Sequence, residues 1–427
     1  VAATTYPAPG NGYGTVSDGT VARGESITFS GSGYIAGETI NITFQRTGGK
    51  KASDGGWPAP PSFSVNADGT GAFSTTITFP DGGNGKGNSG LAATRFRGQA
   101  AGRIAGSGLL MQGSVMPHRL MLLDTASLYF RAFFGVPDSI RRADGTPVNA
   151  VRGLLDMIAR LTTDYGATHL VACWDDDWRP QWRVDLIPTY KSHRVAEAVE
   201  GAPDVEVVPD ALQVQVPMIR RVLGLAGIAV VGAAGHEADD VIGTYASHAK
   251  LPVDVVTGDR DLFQVVDDAG EVRVIYTARG MKNLEIVTDA VVVGKYRVLP
   301  EQYADFATLR GDASDGLPGV AGIGEKTAAS LLAAYGTLDA LLAAAADPGS
   351  GLAASVRSKL AASADYLAVA PVVVNVVRDL ALPTLEEAGA RLRPVDDDSR
   401  RELERLATDW NLGGSMKRLL DALELCL

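Results

Sequence analysis

The chain has 427 residues, more than a single hydrophobic core usually serves, so two or three domains are expected. A composition of 46% hydrophobic and 21% charged residues excludes wholesale disorder, and a formal charge of −11 argues against indiscriminate binding to nucleic acid. No uncharged apolar run reaches the length of a membrane span, no basic and apolar leader opens at Val1, and two cysteines, Cys173 and Cys426, cannot build a disulfide framework, so no membrane association and a cytoplasmic location are expected.

The first 115 residues hold 24 of the 49 glycines and carry 8 basic against 6 acidic side chains, leaving 31 against 44 for the remainder. Within them Ser26 to Phe29, Glu38 to Phe44, Phe63 to Val65 and Ala72 to Phe79 alternate small or polar residues with β-branched and aromatic ones, which predicts short strands. Clusters such as Asn66-Ala67-Asp68-Gly69 separate them, as in an antiparallel sandwich. The segments GSGYIAGETINITF and NADGTGAFSTTITFP resemble bacterial immunoglobulin-like modules of surface proteins, a likeness that spans residues 15–95. Such a module implies adhesion or display; a passive spacer is the plainer reading. Residues 98–115, rich in Gly, Ala and Ser, are expected to be a flexible linker, and Met116 to be the initiator of the second part, as in a fusion at this seam.

Beyond Met116 strands and helices alternate. His118 to Leu123 runs into Asp124, His169 to Trp174 into Asp175, and Val253 to Thr257 is followed by Asp259 and Asp261. Ala229 to Val231 makes a further strand, with helical stretches such as Asn149 to Asp164 between them, so a mainly parallel α/β sheet is predicted. Ligands of such sheets gather beyond the carboxyl ends of the strands, where these aspartates fall. A single aspartate there is most simply a helix cap. The number changes the reading, because His236-Glu237-Ala238-Asp239-Asp240 and Gly311-Asp312-Ala313-Ser314-Asp315 bring further acids, with Glu237 and Asp240 on one face if a helix starts there.

Nine carboxylates in one cleft, Asp124, Asp175, Glu237, Asp239, Asp240, Asp259, Asp261, Asp312 and Asp315, would repel one another strongly without cations. Hard oxygen donors without interspersed His or Cys select Mg²⁺ or Mn²⁺, and two or more such ions suit phosphodiester hydrolysis by an activated water. The remaining histidines share no ligand spacing and are expected to be structural, as is Cys173 inside its apolar run.

At these residues the sequence resembles the bacterial 5′ nuclease family, the free-standing 5′-3′ exonucleases and the nuclease domain of DNA polymerase I, relatives of flap endonucleases. The likeness runs from Leu120 to the C-terminus through LLDTASLYFRAFFG, WRVDLIPTYKSHR, GHEADDVIGTYA, VVTGDRDLFQVV and GDASDGLPGVAGIGEKTAASLL. It implies a PIN-like 5′ nuclease fold, with Asp124, Asp175, Glu237, Asp239 and Asp261 in the tighter metal group and Asp240, Asp259, Asp312 and Asp315 completing the set. The chain ends soon after the GIGEKTA segment, which implies a free-standing nuclease. Two departures stand out: Phe130 precedes Arg131 where the family often has Tyr, keeping a stacking role but losing a phenol, and Gly316 replaces the usual Asn, which would loosen the local turn.

Basic and aromatic residues interleave in Trp178, Arg179, Trp182, Arg183, Tyr190, Lys191, His193 and Arg194, a pattern suited to single-stranded DNA. The resemblance implies that this segment is a helical arch over the site, with Lys191 and Arg194 serving catalysis and Arg131, Arg183, Tyr190, Lys191 and Arg194 touching DNA. Gly322, Gly324, Lys326 and Thr327 read as a hairpin between helices whose amides approach a duplex phosphate; the sequence does not spell a Walker A loop. In the family such a hairpin also holds a monovalent cation, K⁺.

The expected organisation is therefore residues 1–97 as an immunoglobulin-like β-sandwich, 98–115 as linker, 116–300 as the nuclease domain with its arch at 176–210, and 301–427 as a helix-hairpin-helix DNA-binding subdomain with C-terminal helices. The function read is a divalent-metal-dependent 5′ nuclease acting on DNA 5′ ends or flaps in replication and repair, with no obligate protein partner. Two alternatives are a catalytically silent protein binding branched DNA and a phosphotransfer protein with Asp124 as nucleophile. The latter lacks the second acid expected two residues on, where Ala126 stands.

Overall fold

In the computed structural model the described residues are 118–199 and 204–425, together with eight short strands among the first 92 residues. The chain divides into two compact units, Val1–Gly113 and Ser114–Leu427. In the first, β1 (Thr4–Pro7), β2 (Tyr13–Val16), β4 (Ser26–Ser32) and β7 (Phe73–Thr78) form an antiparallel sheet in that order, while β3 (Thr20–Val21) pairs with β8 (Leu91–Ala92) and β5 (Thr39–Ile42) with β6 (Phe63–Asn66). The expected linker 98–115 and Cys426 lie outside the described residues.

The second unit is built on a six-stranded sheet in the order β13 (Ala229–Val231), β10 (His169–Cys173), β9 (Leu120–Asp124), β14 (Val253–Thr257), β15 (Val272–Tyr276), β16 (Glu285–Val287). All pairs are parallel except β15 with β16. The strands are laid outward from β9 in one direction and then, from β14, in the other, so the order reverses between β9 and β14, the place where α/β sheets leave a crevice at their carboxyl ends.

Strand β9, LMLLD, is buried throughout, as a central strand covered on both faces must be. Leu120 and Leu122 face one core together with Val171, Val255 and Phe263; Met121 and Leu123 face the other with Leu154, Ile158 and Val256. Helices α1 (Thr125–Gly135), α2 (Asn149–Tyr165) and α5 (Val216–Leu225) cover the second face, and α6 (Ala238–His248) the first. Gly166, at φ 64, ends α2 in the left-handed conformation.

The C-terminal helices divide between these cores. Helices α8 (Tyr303–Arg310), α9 (Glu325–Tyr335) and α10 (Leu338–Ala346) extend the first, whereas α13 (Asp397–Asp409) and α14 (Gly413–Leu425) return to the second, where Leu403, Met416 and Leu419 pack with Leu154 and Leu223. The last two helices thus complete the nuclease core rather than a distal subdomain.

Among its described residues the segment expected as a helical arch holds one six-residue helix, α3 (Gln181–Leu186), a turn at Ser192–Arg194 and an antiparallel pair of short strands, β11 (Val195–Glu197) and β12 (Val205–Glu206). Its base is buried: Ile187 and Tyr190 pack with Ala307, Leu317 and Val373. Among the described residues no single helix is long and apolar enough to cross a membrane.

Candidate active site

The carboxyl ends of β9, β10 and β14 deliver the first acids. Asp124 closes β9 and caps α1, accepting from the Ser127 backbone N–H at 3.1 Å and from the Thr257 hydroxyl at 2.7 Å. Asp175 follows β10 and accepts from the Ala238 N–H at 2.8 Å, at the start of α6. After β14, Thr257 Oγ1 accepts from the Asp259 N–H at 2.8 Å and Asp259 accepts from the Asp261 N–H at 2.9 Å, a stepwise turn that lays the two aspartates across the end of the sheet. Asp239 lies in the first turn of α6, and Asp315 on the loop between α8 and α9.

These groups are close enough to hinder each other's ionisation. Burial, followed by the charges of Asp175 and Asp259, pushes Asp124 up to about 7 despite its two hydrogen bonds. Asp175 rises to about 6 through burial and the charge of Glu237, against the Ala238 hydrogen bond. Asp315 rises to about 6 through burial, opposed by Lys191. Burial raises Asp239 well above the carboxylate range, aided by Asp124 and Asp259; burial does the same for Asp261, aided by Asp259, Asp315 and Asp312. Oδ1 of Asp261 is buried with no hydrogen-bond partner.

Four of the nine predicted ligands are engaged by cations of the protein itself, Asp315 by Arg194 at 3.3 Å and the other three more closely. Glu237 takes Arg183 Nη1 at 2.9 Å and the Tyr190 hydroxyl at 2.7 Å on one oxygen, and the Lys191 ammonium on the other. Burial alone would raise Asp240, but Arg183 grips both of its oxygens and Val377 N–H adds a third bond at 2.9 Å, which hold it below the usual range. Asp312 is held by Arg310 at 3.0 Å, by Arg260 at 3.5 Å and by the Ser314 N–H at 2.9 Å. Glu237 and Asp240 do face one way at the start of α6, as their spacing predicts, yet the face is turned to Arg183.

The basic residues expected to meet phosphate are correspondingly drawn inward. Arg183 is only 3% exposed and lies under Trp182, at 4.5 Å from its ring. Lys191 and Tyr190 are buried, and burial, which disfavours the ammonium, is outweighed at Lys191 by Glu237. Arg179 is buried on Asp204 and the Tyr190 carbonyl. Arg194 is more open, pairing with Asp315 at 3.3 Å and donating to the Ser314 carbonyl at 2.9 Å. Arg131 on α1 is half-buried, and its Nε is buried without a partner; burial lowers its pKa, with Asp124 acting in the opposite sense.

Gly316 is not a loosening of its turn. At φ 70, a Cβ built there would stand 2.0 Å from the Thr189 carbonyl oxygen, so the close approach of the 312–316 loop to the base of the arch segment requires glycine. Thr189 Oγ1 donates to the Gly316 carbonyl at 2.8 Å and Lys191 N–H to the Asp315 carbonyl at 2.9 Å. Farther along, Gly322, Gly324, Lys326 and Thr327 are all exposed, with Gly324 preceding the first turn of α9. The Gly322 carbonyl accepts from Lys359 Nζ at 2.8 Å.

Sequence reasoning passed over Thr257, which links β9 to the Asp259 turn, and over Arg260 and Arg310, which neutralise Asp312. Thr257 stands inside the VVTGDRD motif, but a lone hydroxyl among acids gives no signal of its own. Among the described residues no three acidic, histidine or cysteine side chains are gathered tightly enough to hold one ion as they stand. The all-oxygen donor set, the mutual repulsion of its carboxyls and the partnerless Asp261 oxygen nevertheless suit a hard divalent cation.

Comparison with known proteins agrees with this architecture. Residues 119–297 match the family model described as 5′-3′ exonuclease, N-terminal resolvase-like domain, and residues 298–398 that described as 5′-3′ exonuclease, C-terminal SAM fold. A 5′-3′ exonuclease of Streptomyces coelicolor is 58% identical over 303 residues, covering 71% of this chain and 99% of that protein. One of Mycobacterium tuberculosis is 50% identical over 312 residues, covering 71% and 98%. DNA polymerase I of Mycobacterium tuberculosis is 38% identical over 308 residues, which are 71% of this chain and 32% of the polymerase. Among solved structures, the T5 D15 protein co-crystallised with metal ions is similar with a TM-score of 0.48 and 16% identity, over 73% of this chain and 100% of that one.

Proposed function

Because the chain belongs to the 5′-3′ exonuclease family, it is a 5′ nuclease of replication and repair, and we propose that it cleaves DNA phosphodiesters from a 5′ end or at a 5′ flap using Mg²⁺ or Mn²⁺. The observation that carries this reading is the crowding of carboxyls at the reversal point of the sheet, with Asp261 Oδ1 buried and unpartnered among them. Asp124, Asp175, Asp239, Asp259, Asp261 and Asp315 are the residues we assign to hold two or more ions; Glu237, Asp240 and Asp312 support them through their arginine and lysine partners. When bound, the ions would supply an activated water and neutralise charge on the scissile phosphate and leaving oxygen.

The protein's own groups fix the rest. Thr257 and Ser127 orient the Asp124 carboxylate by donating to it, and the Ala238 amide does the same for Asp175. Arg131, a half-buried cation within reach of the Asp124 charge, is suited to draw a DNA phosphate toward the end of β9. Lys191 and Arg194 hold the base of the 176–210 segment against Glu237 and Asp315, so their positive charge borders the acids that a phosphate must approach. The exposed amides near Gly322 and Gly324, with Lys326 and Thr327 on the first turn of α9, suit anchoring of a duplex backbone. A K⁺ ion in that loop would compete with the Lys359 ammonium for the Gly322 carbonyl.

The first 97 residues are proposed as an immunoglobulin-like module joined through 98–115 to a nuclease domain at 116–300 and a DNA-binding helical part from 301, whose last two helices pack back on the nuclease core, and the enzyme as cytoplasmic, working without an obligate protein partner. The test is a 5′-labelled flap duplex incubated with protein and Mg²⁺, then with excess chelator. Cleavage that disappears in chelator and returns with Mg²⁺ is expected; undiminished cleavage in chelator would overturn the metal reading.

A further inference from the structure

A second cavity, of about 720 Å³, shares none of its lining with the acidic site. It lies where the loop joining α1 to α2 meets α5 and the turn between α13 and α14, and four arginines reach it: Arg141, Arg142, Arg221 and Arg405. One wall is aromatic. The Arg142 guanidinium lies over the Trp410 ring at 4.3 Å, and its Nε is buried with no hydrogen-bond partner.

The walls are fixed to one another. Arg142 N–H donates to the Thr146 carbonyl at 2.9 Å across a tight turn at Gly145, φ 88, which sets the two adjacent arginines. The Asn411 amide donates to the Arg141 carbonyl at 3.0 Å, and Arg152 donates to the Asn411 carbonyl at 2.7 Å, so the loop is pinned to the α13–α14 turn.

The lining itself carries four arginines against one acid, Asp409, while three further acids stand just outside it. Arg141 pairs with Asp138, and Arg142 stands 3.6 Å from Asp144. Arg221 and Arg405 both address the same oxygen of Glu402, and of the acids only Asp409 lines the cavity itself. The Arg221 and Arg405 side chains are 52% and 65% exposed, so solvent screens their pairing with Glu402 and a phosphate can compete for them. Guanidinium forks bind phosphate oxygens in pairs, a guanidinium plane such as that of Arg142 on the Trp410 ring stacks on a planar base, and the volume lies within the range of small-ligand sites.

We propose that this cavity binds a nucleotide, with its phosphate on Arg141, Arg221 and Arg405 and its base against the Trp410 and Arg142 wall. The nucleotide has two sources, a residue of a bound DNA strand or a free nucleoside monophosphate released by hydrolysis. Both sources rest on the 5′ nuclease reading; the binding of a nucleoside monophosphate by the cavity does not.

Binding is measured on the full chain in chelator, so that no cleavage intervenes. Deoxyadenosine monophosphate is titrated against tryptophan fluorescence, with Trp410→Phe identifying the Trp410 signal, and a labelled flap duplex against anisotropy. Arg141→Ala with Arg405→Ala should weaken one or both ligands by about tenfold or more, Arg405→Lys less, and deoxyadenosine without phosphate should bind at least about tenfold more weakly. Loss confined to the monophosphate assigns a product site, and loss confined to the duplex a strand site. Unchanged duplex affinity together with no saturable, phosphate-dependent binding of the monophosphate would overturn the proposal. Melting curves establish that the variants are folded, and Mg²⁺-dependent cleavage by the same wild-type preparation separately reads the nuclease assignment.

Discussion

Arg183 grips both carboxylate oxygens of Asp240, at 2.7 and 2.9 Å, across 57 positions of the chain. The same guanidinium reaches Glu237, so one residue of α3 fastens the start of α6. Arg183→Ala would leave Asp240 buried and charged without its partner. A loss of about 3–5 kcal/mol in denaturant unfolding is expected, with Arg183→Lys unable to restore it because an ammonium cannot bridge both oxygens. Undiminished stability with weakened DNA binding would instead assign Arg183 to phosphate.

The metal-free protein should lose stability as pH rises. Asp124 is raised to about 7 and Asp175 and Asp315 to about 6, above their unfolded value of 3.8. These groups keep protons in the folded state that the unfolded chain has released, so their contribution is full below about pH 4 and is lost as pH passes through 6 and 7. Asp240 is held low and acts in the opposite sense, but only below that window. Melting temperature in chelator should therefore fall between about pH 4 and pH 7, and Mg²⁺ should reverse the fall by binding the ionised form. A flat profile with no response to Mg²⁺ would contradict the assignment of these acids.

Thr257 positions Asp124 and the Asp259 turn together. Thr257→Val keeps its shape and removes both bonds. Cleavage rate should drop by about 10- to 100-fold, the range for removing a hydrogen bond that orients a metal ligand, while excess Mn²⁺ recovers part of it. Asp261→Asn should lower the rate further, and more Mn²⁺ should not rescue it. Equal activity of either variant and wild type would remove that residue from the site.

Gly316→Asn tests whether glycine there is a family departure or a requirement of contact. The Cβ would collide with the Thr189 carbonyl, so a cost of about 1–3 kcal/mol is expected, detectable as a lowered denaturation midpoint. An unchanged or raised midpoint would mean the loop yields freely.

Much of the site was legible because parallel strands end where their ligands gather. Apolar runs stopping at Asp124 and Asp175 located β9 and β10, and the stretch ending in Thr257 coincided with β14. Which acid points at which neighbour was not legible. Asp240 and Asp239 are adjacent in sequence, but successive helical residues point about 100° apart, so one meets Arg183 and the other Asp124 and Asp259. Basic residues interleaved with aromatics looked like a DNA surface, yet Arg179, Arg183 and Lys191 found carboxylates within the protein. Composition cannot separate the two outcomes, because both use the same charge complementarity. The return of α13 and α14 to the nuclease core was equally hidden, since periodic leucines report a buried face but not the surface that buries it.

The contact of Gly316 and Asp315 with Thr189 and Lys191 crosses the border between the two matched family domains at residue 298. Each half supplies acids whose charges act on those of the other, as Asp315 and Asp259 do. Severing the polypeptide at that border would give two fragments, neither with a whole reaction centre. Any activity regained on mixing would then measure how well they reassemble.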